Sequence, residues 1–287
     1  MMKKKFVLIG TFAWALITLL PMNLIARDDN RPVELKVMSY NIRNGEAKDG
    51  TNAWQYRAPA TMMMLEDQKP DIFGIQEAFD YQVAAILTFT EGYKAVGVGR
   101  EDGKHEGEHM SIFYNKKRLK LQRWGTYWLS ETPDKPSMGW DAACRRTATW
   151  ALMKDKKSGK KFYFVNTHLD HVGVQARKKG LELIVANIAK MNKEGYPMIL
   201  TGDFNVTLED PCLEALEGVM KSARATAVKT DNSGSFNNWG KQNPESPIDY
   251  IYYKGFSSCP VFEVVKKSYY ERKFVSDHFP VSAVLIF

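Results

Sequence analysis

Met198-Ile199-Leu200-Thr201-Gly202-Asp203-Phe204-Asn205 is the stretch on which the reading of this chain turns. Its apolar start reads as a buried strand, and the residues from Thr201 onward bring polar groups to the strand's carboxyl end. With the two-residue period of a strand, Asp203 and Asn205 point to the same side. A carboxylate there can take a proton or hold a metal, and a carboxamide beside it can donate to an anionic oxygen. That pairing suits hydrolysis of a phosphate ester. Taken alone it also fits a plain turn, because Asp and Asn close strands by bonding their own backbone. Polar clusters elsewhere decide between the two.

Segments rich in β-branched and aromatic residues predict strands at Val33–Tyr40, Ile72–Gln76, Met110–Tyr114, Leu121–Leu129, Thr147–Met153 and Phe162–Thr167. Met198–Thr201, Asp249–Tyr253, Phe262–Val265 and Phe279–Ile286 continue the series. Helical periodicity marks Tyr56–Gln68, Tyr81–Phe89, Val174–Met191 and Glu209–Val219. Strands often follow strands, which disfavours a purely alternating βαβ protein and predicts a layered α+β domain with packed sheets. Polar residues gather where these strands stop. Asn41 ends the first, Glu77 the second, and His168 lies in Asn166-Thr167-His168-Leu169-Asp170-His171. Asp249 opens one strand, and Asp277-His278 introduce the last. Such side chains, far apart in sequence, can meet at one rim of paired sheets.

The 287 residues are 44% hydrophobic and 25% charged, enough for a large core. No linker, low-complexity tract or internal repeat divides them, so one domain is expected over residues 27–287. Residues 1–26 read separately. Lys3-Lys4-Lys5, the apolar stretch from Phe6 to Leu20 and Ala26 before Arg27-Asp28-Asp29 have the organisation of a secretory signal peptide. The apolar part falls short of the ~20 residues of a membrane span. A secreted or periplasmic protein without a membrane span in its mature form is expected. Mass spectrometry of material from the native host should find an amino terminus near Arg27; an intact Met1 form in the cytoplasm overturns this.

Loss of the three lysines would take the net charge from +7 to +4. The remaining lysines are scattered, as from Lys154 to Lys161, and Lys116-Lys117-Arg118 sit in a predicted hairpin, Asn115–Leu119. Solvated tips account for them better than a nucleic-acid stripe does. Cys144, Cys212 and Cys259 are an odd set with no metal-motif spacing, and three free thiols are expected.

In order along the chain stand Ser39-Tyr40-Asn41, Ile75-Gln76-Glu77, Asn166-Thr167-His168, Gly202-Asp203-Phe204-Asn205, Ile248-Asp249-Tyr250 and Ser276-Asp277-His278-Phe279-Pro280. This ordered set resembles the endonuclease/exonuclease/phosphatase superfamily, from about Val33 to Phe287. The wording around His168-Leu169-Asp170-His171 is similar to a bacterial branch related to deadenylases. The resemblance implies a DNase I-like fold: α+β, a four-layer α/β/β/α sandwich of two mixed β-sheets. It also implies a hydrolase of phosphoric ester bonds that uses Mg²⁺, with Mn²⁺ as the alternative. Glu77 would be the chief metal ligand, with Asn41 and Asp277 supporting the ion directly or through water. So sparse an oxygen shell suits Mg²⁺, which keeps several waters. Asp203 would orient or deprotonate the attacking water, and Asn205 would donate to a phosphoryl oxygen. His168 and His278 would stabilise the growing charge, with Asp249 holding the tautomer of His278. Each residue alone has a plainer reading as a turn, a helix cap or a solvated strand end, but the family order makes that reading a poor account of the whole set.

The substrate side is thinner. Arg100, between Gly99 and Gly103, is a candidate bidentate phosphate clamp. Glu108 resembles a family position near the metal. Trp140 and Arg145 mark a second candidate phosphate-side loop, and His171 a residue of the cleft or its rim. Phe236 and Trp239 suit stacking on a sugar or base. The leading expectation is an exported phosphoesterase acting on a phosphomonoester or phosphodiester of a sugar, glycan or nucleotide, with no protein partner evident. Mild charge and the lack of a basic stripe disfavour a processive DNA nuclease. The alternatives are a 3′–5′ exonuclease or endonuclease on RNA or single strands and, in another class, a non-catalytic binding protein on the same fold. The intact polar set argues against the last.

Overall fold

The computed structural model describes residues 32–242 and 246–287; the expected signal peptide, residues 1–26, lies outside them. The first half contains β1 (Glu34–Asn41), α1 (Trp54–Gln68), β2 (Ile72–Gln76), α2 (Asp80–Phe89), β3 (Tyr93–Val96), β4 (Ile112–Asn115) and β5 (Leu119–Trp128). Then come β6 (Thr147–Asp155), β7 (Lys161–His168), α3 (Val174–Met191), β8 (Met198–Asp203), β9 (Lys221–Ser222), α4 (Ala223–Thr226) and β10 (Lys229–Thr230). The chain closes with β11 (Asp249–Lys254), β12 (Ser258–Val264) and β13 (Val281–Ile286). One sheet has the order β10-β12-β13-β1-β2-β4-β3, the other β5-β6-β7-β8-β11-β9. Both are mixed: β1 runs parallel to β2 and β7 parallel to β8, among antiparallel neighbours.

Three apolar layers explain the stacking. In β1, Leu35 and Val37 face the second sheet, where they join Met153, Phe164, Ile199 and Ile251. The alternate residues Met38 and Tyr40 face outward and are covered by Ala60, Met64 and Leu65 of α1 and Ile86 of α2. On the far side, Leu181, Ile184 and Ile188 of α3 cover Tyr163, Val165 and Leu200. The result is the α/β/β/α sandwich. A central strand covered on both faces must be apolar on both, and β2 is buried along its whole length.

Register then delivers the functional side chains to one rim. The parallel pair β1/β2 sets Asn41 beside Gln76, one step before Glu77. The parallel pair β7/β8 sets His168 beside Asp203, and antiparallel β11 sets Asp249 beside Asp203. Beneath the rim a polar seam ties the sheets together. Gln76 donates to Asn166 Oδ1 at 2.7 Å, Thr201 donates to the same oxygen at 3.1 Å, and Asn166 Nδ2 donates to Ile75 O at 2.8 Å. Gly74 is required there, because a Cβ would lie 2.3 Å from Asn166 Oδ1. Gly202 is required for a similar reason, its Cβ position being 2.4 Å from Thr167 O.

Several expectations change. Glu209–Val219 is not an α-helix: Pro211–Leu216 is 3₁₀, started by Pro211 and capped by Asp210, whose side chain accepts from Cys212 N. The predicted hairpin at Asn115–Leu119 is a crossover, since β4 and β5 belong to different sheets. Arg118 is accordingly no solvated tip but an ion-pair partner of Asp155 at 2.5 Å. The short, half-buried edge strand β3 carries too little pattern to be seen in sequence. Cys144, Cys212 and Cys259 are free, as expected. Among the described residues no helix is long and apolar enough to cross a membrane.

Candidate active site

Glu77, His168, Asp203, Asn205, Asp277 and His278 line an open cleft of about 780 Å³, with Asn41 and Asp249 buried just behind them. Its centre is built on Asn41. The amide nitrogen of Asn41 donates to Glu77 Oε1 and to Asp203 Oδ2, both at 2.9 Å, while its carbonyl accepts from Arg43 N at 3.0 Å. Two carboxylate neighbours fix the orientation of that amide, so Asn41 holds Glu77 and Asp203 in place. Glu77 Oε2 accepts from Asn44 N at 2.8 Å. Glu77 and Asn205 both have left-handed backbone, at φ 64° and 54°. Such conformations cost energy in non-glycine residues and are kept where a side chain must be re-aimed after a strand. For Asn205 the turn is closed by its own N–H donating to Asp203 Oδ1 at 2.9 Å.

The two histidines are driven apart electrostatically. Burial works against the His278 imidazolium, yet Asp249 and Asp203 push its pKa up to about 10. Asp249 Oδ2 accepts from His278 Nδ1 at 2.8 Å, and His278 Nε2 lies 3.7 Å from Asp203 Oδ2. For His168, burial and then the charges of Arg146 and Arg100 hold the pKa well below its usual value. Its Nε2 is 2.9 Å from Asn205 Nδ2, which also donates to Leu169 O at 3.0 Å. A carbonyl can only accept, so the nitrogen of the amide faces both groups. His168 therefore accepts at Nε2, is neutral, and carries its proton on Nδ1, which has no partner. Both N–H groups of Asn205 are thus occupied, and the expected donation from Asn205 to a phosphoryl oxygen is not poised in this state.

The carboxylates separate too. Burial and the charge of Asp249 push Asp203 up to about 7. Burial would also raise Glu77, but the Asn41 hydrogen bond and the His278 charge hold it below its ordinary value. Asp277 is raised by burial and, against His278, by the like charge of Glu77. Carboxylates held this close, with one amide bonded to two of them, fit a hard divalent cation. Ligand atoms of Glu77, His168 and Asp203 lie within 4.8 Å of one another, as do those of Asp203, Asp249 and His278.

Around this centre the expected substrate residues divide. Arg100, Glu108, His171, Phe236 and Trp239 line the cleft; Trp140 and Arg145 do not. Arg145 is turned into an ion pair with Glu101, and its neighbour Arg146 takes the cleft side. Adjacent residues entering β6 point to opposite faces, so a one-residue step decides which arginine serves the site. Arg100 Nη1 donates to Glu108 Oε2 at 2.6 Å, and burial raises the Glu108 carboxyl despite that cation. Phe236 packs against His278, ring centroids 5.0 Å apart. Asp170 caps no helix N-terminus directly. It accepts from Val172 N and Gly173 N just before α3, while Asp141 accepts from Gln175 N and Ala176 N. Sequence reasoning missed Arg43, whose guanidinium bridges Asp49 at 2.9 Å and Asp277 at 3.4 Å. Its place two residues after Asn41 was the available signal.

Known proteins share this fold. The sequence model of the Endonuclease/Exonuclease/phosphatase family matches residues 38–278. A family protein of that description from Bacteroides thetaiotaomicron superposes with a TM-score of 0.84 and 36% identity, over 90% of this chain and 99% of the other. The mannosyl-6-phosphatase of Bacteroides thetaiotaomicron VPI-5482 superposes with a TM-score of 0.85 and 36% identity, over 88% of this chain and 100% of the other. An uncharacterised protein of Acanthamoeba polyphaga mimivirus is 25% identical over 270 residues, 88% of this chain and 100% of its own.

Proposed function

Because the chain belongs to the endonuclease/exonuclease/phosphatase family, whose members hydrolyse phosphoester bonds, we propose that it is an exported, Mg²⁺-dependent phosphatase of a phosphorylated sugar or glycan. The observation that carries the reading is the pairing of Asp203 with a cationic His278 in one cleft. Asp203, ionised above about 7, is a base for water; His278, protonated below about 10, is an acid or a fixed positive charge. General acid–base pairs need their pKa values on opposite sides of the working pH. The cleft volume suits a sugar phosphate, within the ~300–1,000 Å³ usual for small ligands. The 36% identical mannosyl-6-phosphatase supports the same class.

In this reading Asp203 orients a water for in-line attack and accepts its proton. His278, steadied by Asp249, faces the charge that grows on the phosphoryl or leaving oxygen. Neutral His168 offers its Nδ1–H. Glu77 and Asp277 would hold the metal, with Asn41 keeping Glu77 in place. The ion, when bound, supplies Lewis-acid polarisation of the phosphoryl oxygen. Phe236 and Trp239 offer apolar faces to a sugar ring.

Turnover of an aryl phosphate, mannose 6-phosphate and a short oligonucleotide, each with Mg²⁺ and after EDTA, tests the proposal. Activity on the monoesters that EDTA abolishes is expected. Glu77→Gln keeps the shape but loses a ligand charge, so its rate should fall steeply and recover only in part with excess Mg²⁺. Full activity after EDTA removes the metal from the mechanism.

The pH profile carries a sign. Protonating Asp203 removes the base, so kcat/KM should rise with pH through about 7 on the acid side. Deprotonating His278 removes the positive charge, so it should fall through about 10 on the basic side. A cation bound beside Glu77 shifts both limbs downward. A profile that falls from pH 5 to pH 8 contradicts these roles.

A further inference from the structure

One wall of the cleft holds buried donors that the protein leaves without acceptors. Arg146 is only 5% exposed. Its Nε donates to Asp170 Oδ2 at 3.1 Å and its Nη2 to His171 Nδ1 at 2.9 Å, but its Nη1 meets no acceptor. His168 Nδ1 is likewise without a partner, and Arg100 Nε has only a long ion pair with Glu101 at 3.4 Å. All three side chains line the cleft, whereas Phe236, Trp239 and Ile248 line it without charge. Native folds pair nearly all buried donors, and the exceptions mark places where a ligand completes the set.

We propose that Arg146 is a specificity residue for phosphomonoesters: its spare N–H receives the third non-bridging oxygen of a terminal phosphate. This rests on the phosphatase reading above. In a diester that oxygen carries a second carbon substituent. It is then a weak, uncharged acceptor, and the substituent must occupy the place of the guanidinium. Arg146 cannot easily turn aside. Asp170 and His171 hold two of its nitrogens, and Asp170 is itself bound by the N–H groups of Ala143, Val172 and Gly173. A guanidinium fixed in this way is a planar fork of set direction, which an ammonium does not reproduce. A site built to bond a polar atom discriminates strongly against an analogue that lacks it, because its own group is then left unpaired.

The test compares kcat/KM of the Mg²⁺-loaded mature protein for an aryl phosphate and for the methyl ester of the same aryl phosphate. In R146M the monoester-to-diester ratio should fall about 10–100-fold, the range of one charge-assisted hydrogen bond. A ratio within threefold of wild type, with both rates falling together, overturns the proposal and leaves the phosphatase reading standing. Calorimetric binding of inorganic phosphate, which needs no turnover, should weaken about tenfold or more in R146M. Equal binding overturns the proposal even if the enzyme hydrolyses neither ester, an outcome that would separately sink the phosphatase reading. If R146M melts far below wild type, R146K, which keeps the charge but not the fork, is measured instead under the same threefold criterion.

Discussion

Replacing Asp203 by Asn is expected to lower kcat by about 10²–10⁴-fold with little change in KM, the usual contribution of a positioned general base. The side chain is nearly isosteric, so the end of β8 keeps its course. One oxygen still accepts from Asn205 N. The new NH₂ group, however, meets the Asn41 amide nitrogen, which now donates to Asp203 Oδ2. That donor–donor contact costs about 1–3 kcal/mol. A second effect opposes it. A carboxyl whose pKa is raised in the fold stabilises the protein only while protonated, and this benefit is lost as pH rises through about 7. At pH 8 the ionised Asp203 faces Asp249 at a cost that the neutral amide removes. The two terms offset, and the melting temperature should stay within a few degrees of wild type. Steady-state kinetics and thermal melting on this one variant decide the matter. An active but destabilised Asp203→Asn would show that the residue merely closes a strand.

Arg57→Met should destabilise the fold by about 3–5 kcal/mol, the cost of leaving several buried carbonyls without their donor. Arg57 lies in α1 and is completely buried. It donates to Asn52 O at 2.9 Å, Arg43 O at 2.8 Å and Val275 O at 3.2 Å, and also to Ile42 O. Its guanidinium is 5.1 Å from the Trp54 ring centroid and 5.6 Å from that of Trp239. Met fills much of the volume but leaves those carbonyls without a donor. The residues concerned flank the site: Ile42 and Arg43 follow Asn41, Val275 precedes Asp277, and Trp239 lines the cleft. Activity should therefore fall along with stability. At about 2–4 °C per kcal/mol for a domain of this size, the melting temperature should drop by roughly 10 °C. Denaturant unfolding within 1 kcal/mol of wild type would rule out the structural role given to this arginine.

Arg57 also shows where reading residues in order stops being enough. In Trp54-Gln55-Tyr56-Arg57 it looks like any helical arginine, and nothing local says that the carbonyls of Ile42, Arg43 and Val275 converge on it along with that of Asn52. Arg145 and Arg146 are adjacent and alike, and only the face each presents as the chain enters β6 separates an ion pair from a cleft residue. His168 and His278 are one residue type. One is kept neutral by burial beside arginines, the other made cationic by two carboxylates. Lys116-Lys117-Arg118 has the composition of a hairpin tip, yet it carries the chain from one sheet to the other.

What sequence alone determined is the local part: the strands, their two-residue alternation and the polar residues at their ends. Covalent geometry imposes that period on any extended chain, so Asn41, Glu77, His168, Asp203, Asp249 and His278 could be placed at strand ends before any packing was known. Their order along the chain carried the family. Tertiary structure alone decided which of these groups bond one another, which arginine faces the cleft and which charge state each histidine takes. Those properties depend on burial and on neighbours contributed by both sheets, and burial changes the energy of a charge far more than any nearest neighbour in sequence does.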